Sequence, residues 1–139
     1  MLRALAEEVG EGSEFVSRLE DVRRDAFGAA RRYDTLLAEA AEPVGLATFF
    51  ETYSTYKGRA CLYVNDIYVE PTARRWRVGR LLMAEVARIA LDRDCCRVEL
   101  KVLSGNPAQR FYQAIGMIES AERAYTIRES ALERLARGD

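Results

Sequence analysis

The period of the hydrophobic positions changes several times along the chain, and each change marks an element. Over residues 1–30 the apolar positions Leu2, Leu5 and Ala6, then Phe15, Leu19, Val22 and Phe27, recur at helical spacing. Gly10 and Gly12 interrupt them, which predicts two helical pieces. RYDTLLAEA then alternates briefly between charged flanks, as a short strand does. EPVGLATFFETYST is rich in β-branched and aromatic residues behind a Glu42-Pro43 turn, so the two segments are expected to form a hairpin.

YKGRACLYVNDIYVEP predicts a third strand. Strict alternation places Leu62, Val64, Asp66 and Tyr68 on one face and Cys61, Tyr63, Asn65, Ile67 and Val69 on the other. Both faces are mostly apolar, which suits a central strand covered on both sides, and Pro71 ends it. A helix follows over 77–92 with Leu82, Val86 and Ile89 on one stripe. CRVELKVL is a strand with Val98, Leu100 and Val102 opposite Arg97, Glu99 and Lys101. SGN closes it, and PAQRFYQAIG reads as a short helix with Pro107 at its start and Gly116 at its C-terminal end. MIES and AYTIRES predict two final short strands, and ALERLARGD an amphipathic tail.

The strand–helix–strand unit from 61 to 103 requires parallel strands and a right-handed crossover, whereas the earlier strands pair antiparallel. The expected fold class is α/β (α+β). A single domain over residues 1–139 would hold a mixed, mostly antiparallel sheet with one parallel strand pair and helices on both faces. At 139 residues the chain supports one sizeable core.

Composition narrows the chemistry. A net charge of −1 argues against wholesale attraction to nucleic acid, and no nucleic-acid partner is expected. The apolar runs are too short for a membrane span, so no membrane partner is expected either. The N-terminus lacks the apolar core of a signal peptide, and the expected location is cytoplasmic. Cys61, Cys95 and Cys96 form no CxxC pair and read as free thiols, with no metal site. The chain has no histidine, which removes Ser-His-Asp and Cys-His mechanisms and leaves proton transfer to carboxylates, tyrosine, cysteine, lysine or water.

The stretch ARRWRVGRLL at 73–82 clusters four arginines around Gly79 where strand gives way to helix. Unpaired N–H groups at a helix start, reinforced by arginine, suit a phosphate or pyrophosphate. They also suit a solvated basic turn. The stretch is neither a Walker P-loop nor a dinucleotide GxGxxG.

YVNDIYVEPTARRWRVGRLLM resembles the cofactor-binding segment of the GNAT superfamily of acyl-CoA-dependent N-acetyltransferases: a strand ending in a V-x-P-like stop, then Arg/Gln-x-x-Gly-x-Gly/Ala opening a helix. Arg74 fills the Arg/Gln position and Gly79 the last glycine. NPAQRFYQAIGM resembles the second signature, an Asn followed by a helix carrying F-Y and then Gly-Phe. The similarity covers most of the chain from about residue 32 onward, and within the superfamily it looks most like the diamine (spermidine/spermine) acetyltransferase branch.

The resemblance implies an acetyl-CoA-dependent N-acetyltransferase acting on a primary amine of a small molecule, a polyamine or an amino-acid-like compound, with the acyl-CoA-binding core at 61–116. Backbone N–H groups across Arg75, Trp76, Arg77, Val78, Gly79 and Arg80 would bind the CoA pyrophosphate, with Arg74, Arg75 and Arg80 as charge partners. The strand end Ile67, Tyr68 and Val69 would hold the pantetheine arm through the backbone of Ile67 and Val69, and Asn106 would touch it from the other side. Tyr112 matches the general acid that protonates the departing thiolate. No covalent enzyme intermediate is required.

Departures from the family pattern accompany these matches. Arg77 stands where the family usually has glycine; if the backbone there is helical, no positive φ is needed, and its side chain must point away from the pyrophosphate or fold over it. Asn65-Asp66 replaces a Glu-Asp pair, so Asn65 falls at the matched position of the base and cannot usefully take a proton. Asp66 has the chemistry, yet alternation sends it to the opposite face. It reads either as a base or as a hydrogen-bonded buried carboxylate, with Glu51, Glu70 and Glu99 as other carboxylates near strand ends. Tyr53, Tyr56 and Glu51 read as a cleft for a cationic amine or as ordinary sheet surface. The family's first strand has no visible counterpart, so either it is absent or the start of the chain is late; its loss would leave RYDTLLAEA as an exposed edge for a homodimer partner to cover. Two other functions stay open, a non-catalytic acyl-CoA-binding module and an acetyltransferase acting on a protein amine.

Overall fold

The computed structural model describes residues 1–138; Asp139, the last residue of the expected tail, lies outside them. The chain divides into two compact units, residues 1–104 and the remainder from Gly105.

The first unit opens with helices α1 (Leu2–Glu8) and α2 (Leu19–Phe27), separated by Gly10, at φ 82°, and a single 3-10 turn, Gly12–Glu14. The interruption falls where the glycines predict it. Strands β1 (Asp34–Glu39), β2 (Pro43–Ser54) and β3 (Arg59–Val69) follow as antiparallel neighbours. A 3-10 segment, Pro71–Trp76, leads into helix α3 (Val78–Asp92). Strand β4 (Val98–Leu100) returns parallel to β3. The four-stranded sheet has the order β1-β2-β3-β4. The mixed sheet with one parallel pair is as expected.

α3 packs on one face of the sheet. Val78, Leu82, Met83, Val86 and Ala90 are its buried residues, spaced to form one apolar stripe. Gly45 on β2 lets it come close: a Cβ there would lie 3.0 Å from the Val78 side chain and 3.3 Å from that of Leu82. Phe49, Leu62 and Val64 are fully buried, and Arg93 just past α3 closes the end of this layer through ion pairs to Asp34 (2.8 Å) and Glu51 (3.1 Å). On the opposite face, α1 meets β3 near the buried Tyr68, on whose hydroxyl Glu8 acts.

The alternation expected for β3 is broken. Phe49 pairs with Val64 and Thr48 with Asp66, so Asn65 has no opposing residue. This one-residue bulge reverses the faces beyond it. Asp66 and Tyr68 therefore share a face with Cys61 and Tyr63, and Ile67 and Val69 share one with Leu62 and Val64. Two consecutive polar residues inside an otherwise apolar strand were the available cue.

In the second unit, α4 (Ala108–Ala114) ends in a turn with Gly116 at φ 95° and the Met117 N–H donating to the Tyr112 carbonyl, the C-terminal stop that Gly116 predicts. Helix α5 spans Glu129–Arg137. The strands expected at MIES and AYTIRES are absent: residues 117–128 make no ladder, and Ile118 is 93% exposed. Alternation alone does not make a strand; it requires a neighbour to share its hydrogen bonds. The strand expected over CRVELKVL is likewise trimmed to the three residues that pair with β3.

Candidate active site

The site begins where β3 and β4 part. Their pairing covers only Leu62–Val98, Tyr63–Glu99 and Val64–Leu100, after which β3 runs on to Val69 paired with β2 and without β4 on its other edge. The direction of its free groups follows from two bonds. The Glu70 N–H donates to the Val44 carbonyl, so Glu70 turns toward β2. Alternate residues then turn away, which points the N–H and C=O of Ile67 and Val69 to the unpaired edge. At the other end of β3 the Leu62 N–H donates to the Arg97 carbonyl, so even-numbered residues face β4 before the bulge and odd-numbered residues face the edge after it. The bulge at Asn65 accounts for that switch.

Directly after this edge comes the arginine-rich turn. Arg77 adopts φ 61°, ψ 19° and starts α3 without any side-chain cap on the helix's first N–H groups. Its backbone is left-handed rather than helical, contrary to the expectation that no positive φ is needed. The glycine usual at this position in the family thus has a conformational reason. A non-glycine residue held left-handed loses about 1–2 kcal/mol, and glycine gives back about 0.5–1 kcal/mol through its looser unfolded state. Arg77→Gly is therefore expected to raise stability by about 0.5–1 kcal/mol, read as a higher urea midpoint at unchanged slope. A lower midpoint would mean that the Arg77 side chain makes stabilising contacts that outweigh the strain.

The arginines separate into two groups. Arg74 is held inward: its Nε donates to the Val69 carbonyl at 3.0 Å and its guanidinium pairs with Glu8 at 2.5 Å. It ties the turn to β3 and α1 and occupies one acceptor on the free edge. Arg75, Arg77 and Arg80 are exposed and form no ion pair among the described residues. Trp76 is exposed beside them, while Val78 anchors the turn in the core.

On the other side of the bulge lies a polar cluster. The Thr48 hydroxyl, on a residue only 2% exposed, donates to Asp66 Oδ2 at 2.5 Å. Asn65 Nδ2 donates to the same oxygen at 3.0 Å, so the bulge brings together two side chains that alternation separates. Both donors meet Oδ2, and among the described residues none is seen on Asp66 Oδ1. Two tyrosines that the sequence reading did not single out share this region. Burial pushes the hydroxyl pKa of both Tyr33 and Tyr63 up, and the Asp66 carboxylate adds to the effect on each. Tyr63 also packs against Phe50, ring centroids 5.3 Å apart.

The other carboxylates are engaged elsewhere. Glu51 pairs with Arg93, Glu70 accepts from the Tyr68 hydroxyl at 3.3 Å, and Glu99 pairs with Arg97 at 2.8 Å. Tyr56 is fully exposed in the β2–β3 turn and Tyr53 largely so, which makes them ordinary surface rather than a cleft.

In the second unit, Asn106 Oδ1 accepts from the Ala108 N–H at 2.9 Å, opening α4 and leaving the side-chain NH2 as the group it could offer a ligand. Tyr112 sits half-buried on α4 beside Phe111, ring centroids 5.3 Å apart, and burial pushes its hydroxyl pKa above the usual tyrosine range.

A strand edge left open beyond β4 leads into an uncapped, cationic helix start, an arrangement whose donors suit an extended ligand ending in phosphate. The chain belongs to the acetyltransferase (GNAT) family, whose model matches residues 3–117, and it is an N-acetyltransferase. The match begins well before the stretch in which the sequence resemblance is legible. The chain is similar to a thialysine N-epsilon-acetyltransferase of Bos taurus, 35% identical over 132 residues, 88% of this chain and 77% of the relative. An L-ornithine N5-acetyltransferase of Arabidopsis thaliana is 30% identical over 70% of this chain and 41% of its own. A human spermidine/spermine N(1)-acetyltransferase-like protein 1 is 26% identical over 71% of this chain and 15% of its own, and the likeness to the diamine branch is borne out. Among solved structures, an integron cassette protein of V. cholerae superimposes with a TM-score of 0.79 over 96% of this chain and 88% of its own at 24% identity, which shows the shared fold.

Proposed function

We propose that this N-acetyltransferase uses acetyl-CoA to acetylate a primary amine of a small amino-acid-like or polyamine molecule. The observation that carries the reading is the continuous path from the free edge at Ile67 and Val69 to the uncapped first turn of α3. An amide-bearing arm fits an open strand edge as an added strand, and pyrophosphate fits the helix start beyond it. The family's use of acetyl-CoA agrees with this donor set. The amine class rests on the thialysine and ornithine acetyltransferases, whose named acceptors carry two amines each.

In this reading Asp66 Oδ1 receives the acceptor amine and takes its proton as nitrogen bonds to the thioester carbon. Backbone N–H groups at the bulge stabilise the oxyanion, and Tyr112 protonates the sulfur when the C–S bond breaks. Ile67, Tyr68 and Val69 supply the edge; Arg75 to Arg80 supply the pyrophosphate cradle, with Arg74 bracing it; Asn106 adds a donor from its NH2. The whole chain acts as one catalytic domain, and the outer edge of β1, unpaired among the described residues, is where a second copy pairs to form a homodimer.

The test is free-thiol release with acetyl-CoA against a panel including thialysine, ornithine, lysine and spermidine, alongside calorimetry with acetyl-CoA alone. Turnover on at least one diamino compound is expected. Tight binding without turnover on any amine would make the chain a binding module instead. Replacing both Arg75 and Arg80 by Ala should raise the acetyl-CoA KM about tenfold, since two exposed cation–phosphate contacts contribute roughly 1–2 kcal/mol together. The difference should narrow at 0.5 M salt because the contacts are screened. An unchanged KM would remove the cradle assignment.

A further inference from the structure

We propose that Cys61 and Cys96 are a redox-modifiable pair that closes an intrachain disulfide across the start of the parallel β3–β4 pairing. Their sulfurs lie 3.3 Å apart although the residues are separated by 35 positions. The backbone already holds the two strands in place on either side of them: the Cys96 N–H donates to the Ala60 carbonyl at 2.8 Å, and the Leu62 N–H to the Arg97 carbonyl at 3.0 Å. Reaching a bond length of about 2.05 Å requires an approach of roughly 1.3 Å, within the range of side-chain rotation.

The two thiols differ in access. Cys96 is half-buried and can meet a soluble oxidant, while Cys61 is buried behind it. Burial and the neighbouring Cys96 sulfur push the Cys61 thiol pKa up, with the Arg97 guanidinium opposing them, so Cys61 is suited to act second, inside the mixed disulfide. Cys95 is a poor substitute for either, because it is buried with its sulfur directed at the Arg93 carbonyl, 4.0 Å away.

The oxidant class is a low-molecular-weight disulfide such as glutathione disulfide. The Cys96 thiolate attacks one of its sulfurs and releases one glutathione, leaving a mixed disulfide. Cys61 gives its proton to solvent and attacks the Cys96 sulfur, releasing the second glutathione. Two protein thiols are oxidised by two electrons and one small disulfide is reduced to two thiols. The ring so formed encloses the bulge, the arginine-rich turn and α3. The inference stands on the thiol geometry and is independent of the acceptor assignment.

The experiment equilibrates the full chain in graded glutathione disulfide to glutathione ratios, quenches with maleimide in denaturant, and maps tryptic peptides by mass. A peptide containing Cys61 should be joined to Asp94–Arg97 with the loss of two hydrogens, reversibly with dithiothreitol. Because Cys95 and Cys96 share that peptide, Cys95→Ala must keep the link and Cys96→Ala must abolish it. The unfolding midpoint of the oxidised wild type should rise by roughly 10 °C, as expected for closing a loop of this length, and return on reduction. Three maleimide-reactive thiols at the most oxidising ratio would overturn the inference. So would a Cys95–Cys96 or intermolecular link in its place.

Discussion

Tyr112→Phe is expected to lower kcat by about 100-fold while leaving the KM for acetyl-CoA within roughly threefold of wild type. The size follows from the leaving group. General acids contribute about 10²–10⁴-fold, and the benefit grows with the basicity of the atom being protonated. A departing thiolate is only moderately basic, with a thiol pKa near 8.5, so the lower end of that range applies. The direction of the pH effect follows from burial. A hydroxyl pKa pushed above the usual tyrosine range keeps the proton in place throughout neutral and mildly alkaline pH. Wild-type kcat should therefore show no alkaline fall below about pH 10 from loss of this acid. The phenylalanine variant keeps the ring contact with Phe111, which limits any change in stability. Turnover equal to wild type on every accepted amine between pH 6 and 9 would remove Tyr112 from the chemistry.

How far the sequence discloses this site depends on the kind of information each part needs. The order of elements from α1 to α4 follows from period and punctuation, because glycine and proline act on their own residue's backbone. Arg77 shows the limit of that reading. Its residue type argues for a helical or extended backbone, and only the path of the chain from Trp76 to Val78 forces it left-handed. The bulge at Asn65 is a property of two strands in register; the polar pair Asn65-Asp66 hints at a break in the strand, but only the pairing with β2 fixes it. Without it, Asp66 belongs on the wrong face and Tyr33 and Tyr63 have no reason to be considered. The expected C-terminal strands fail for the same reason in reverse. Alternation in AYTIRES is compatible with pairing, and the structure supplies no partner strand within residues 117–128.

The bulge makes Asp66 the residue with the most at stake, and two substitutions separate its roles. Asp66→Ala removes the carboxylate that accepts from the Thr48 hydroxyl, which is almost fully buried, and should destabilise the fold by about 1–3 kcal/mol. Asp66→Asn keeps an oxygen for Thr48 and should stay within about 1 kcal/mol of wild type. The same substitution removes the charge that we propose receives the amine proton. A lysine-type amine, with a pKa near 10.4, is neutral in only about one molecule in a thousand near pH 7.5, so handling that proton is a large part of the barrier. Asp66→Asn should lower kcat/KM for the amine roughly 100-fold at neutral pH. The deficit should shrink toward pH 10, where solvent has already deprotonated the acceptor. A folded Asp66→Asn enzyme as fast as wild type at pH 7 would reduce Asp66 to a brace for Thr48 and Asn65. Proton removal would then fall to water or to a tyrosine beside the bulge.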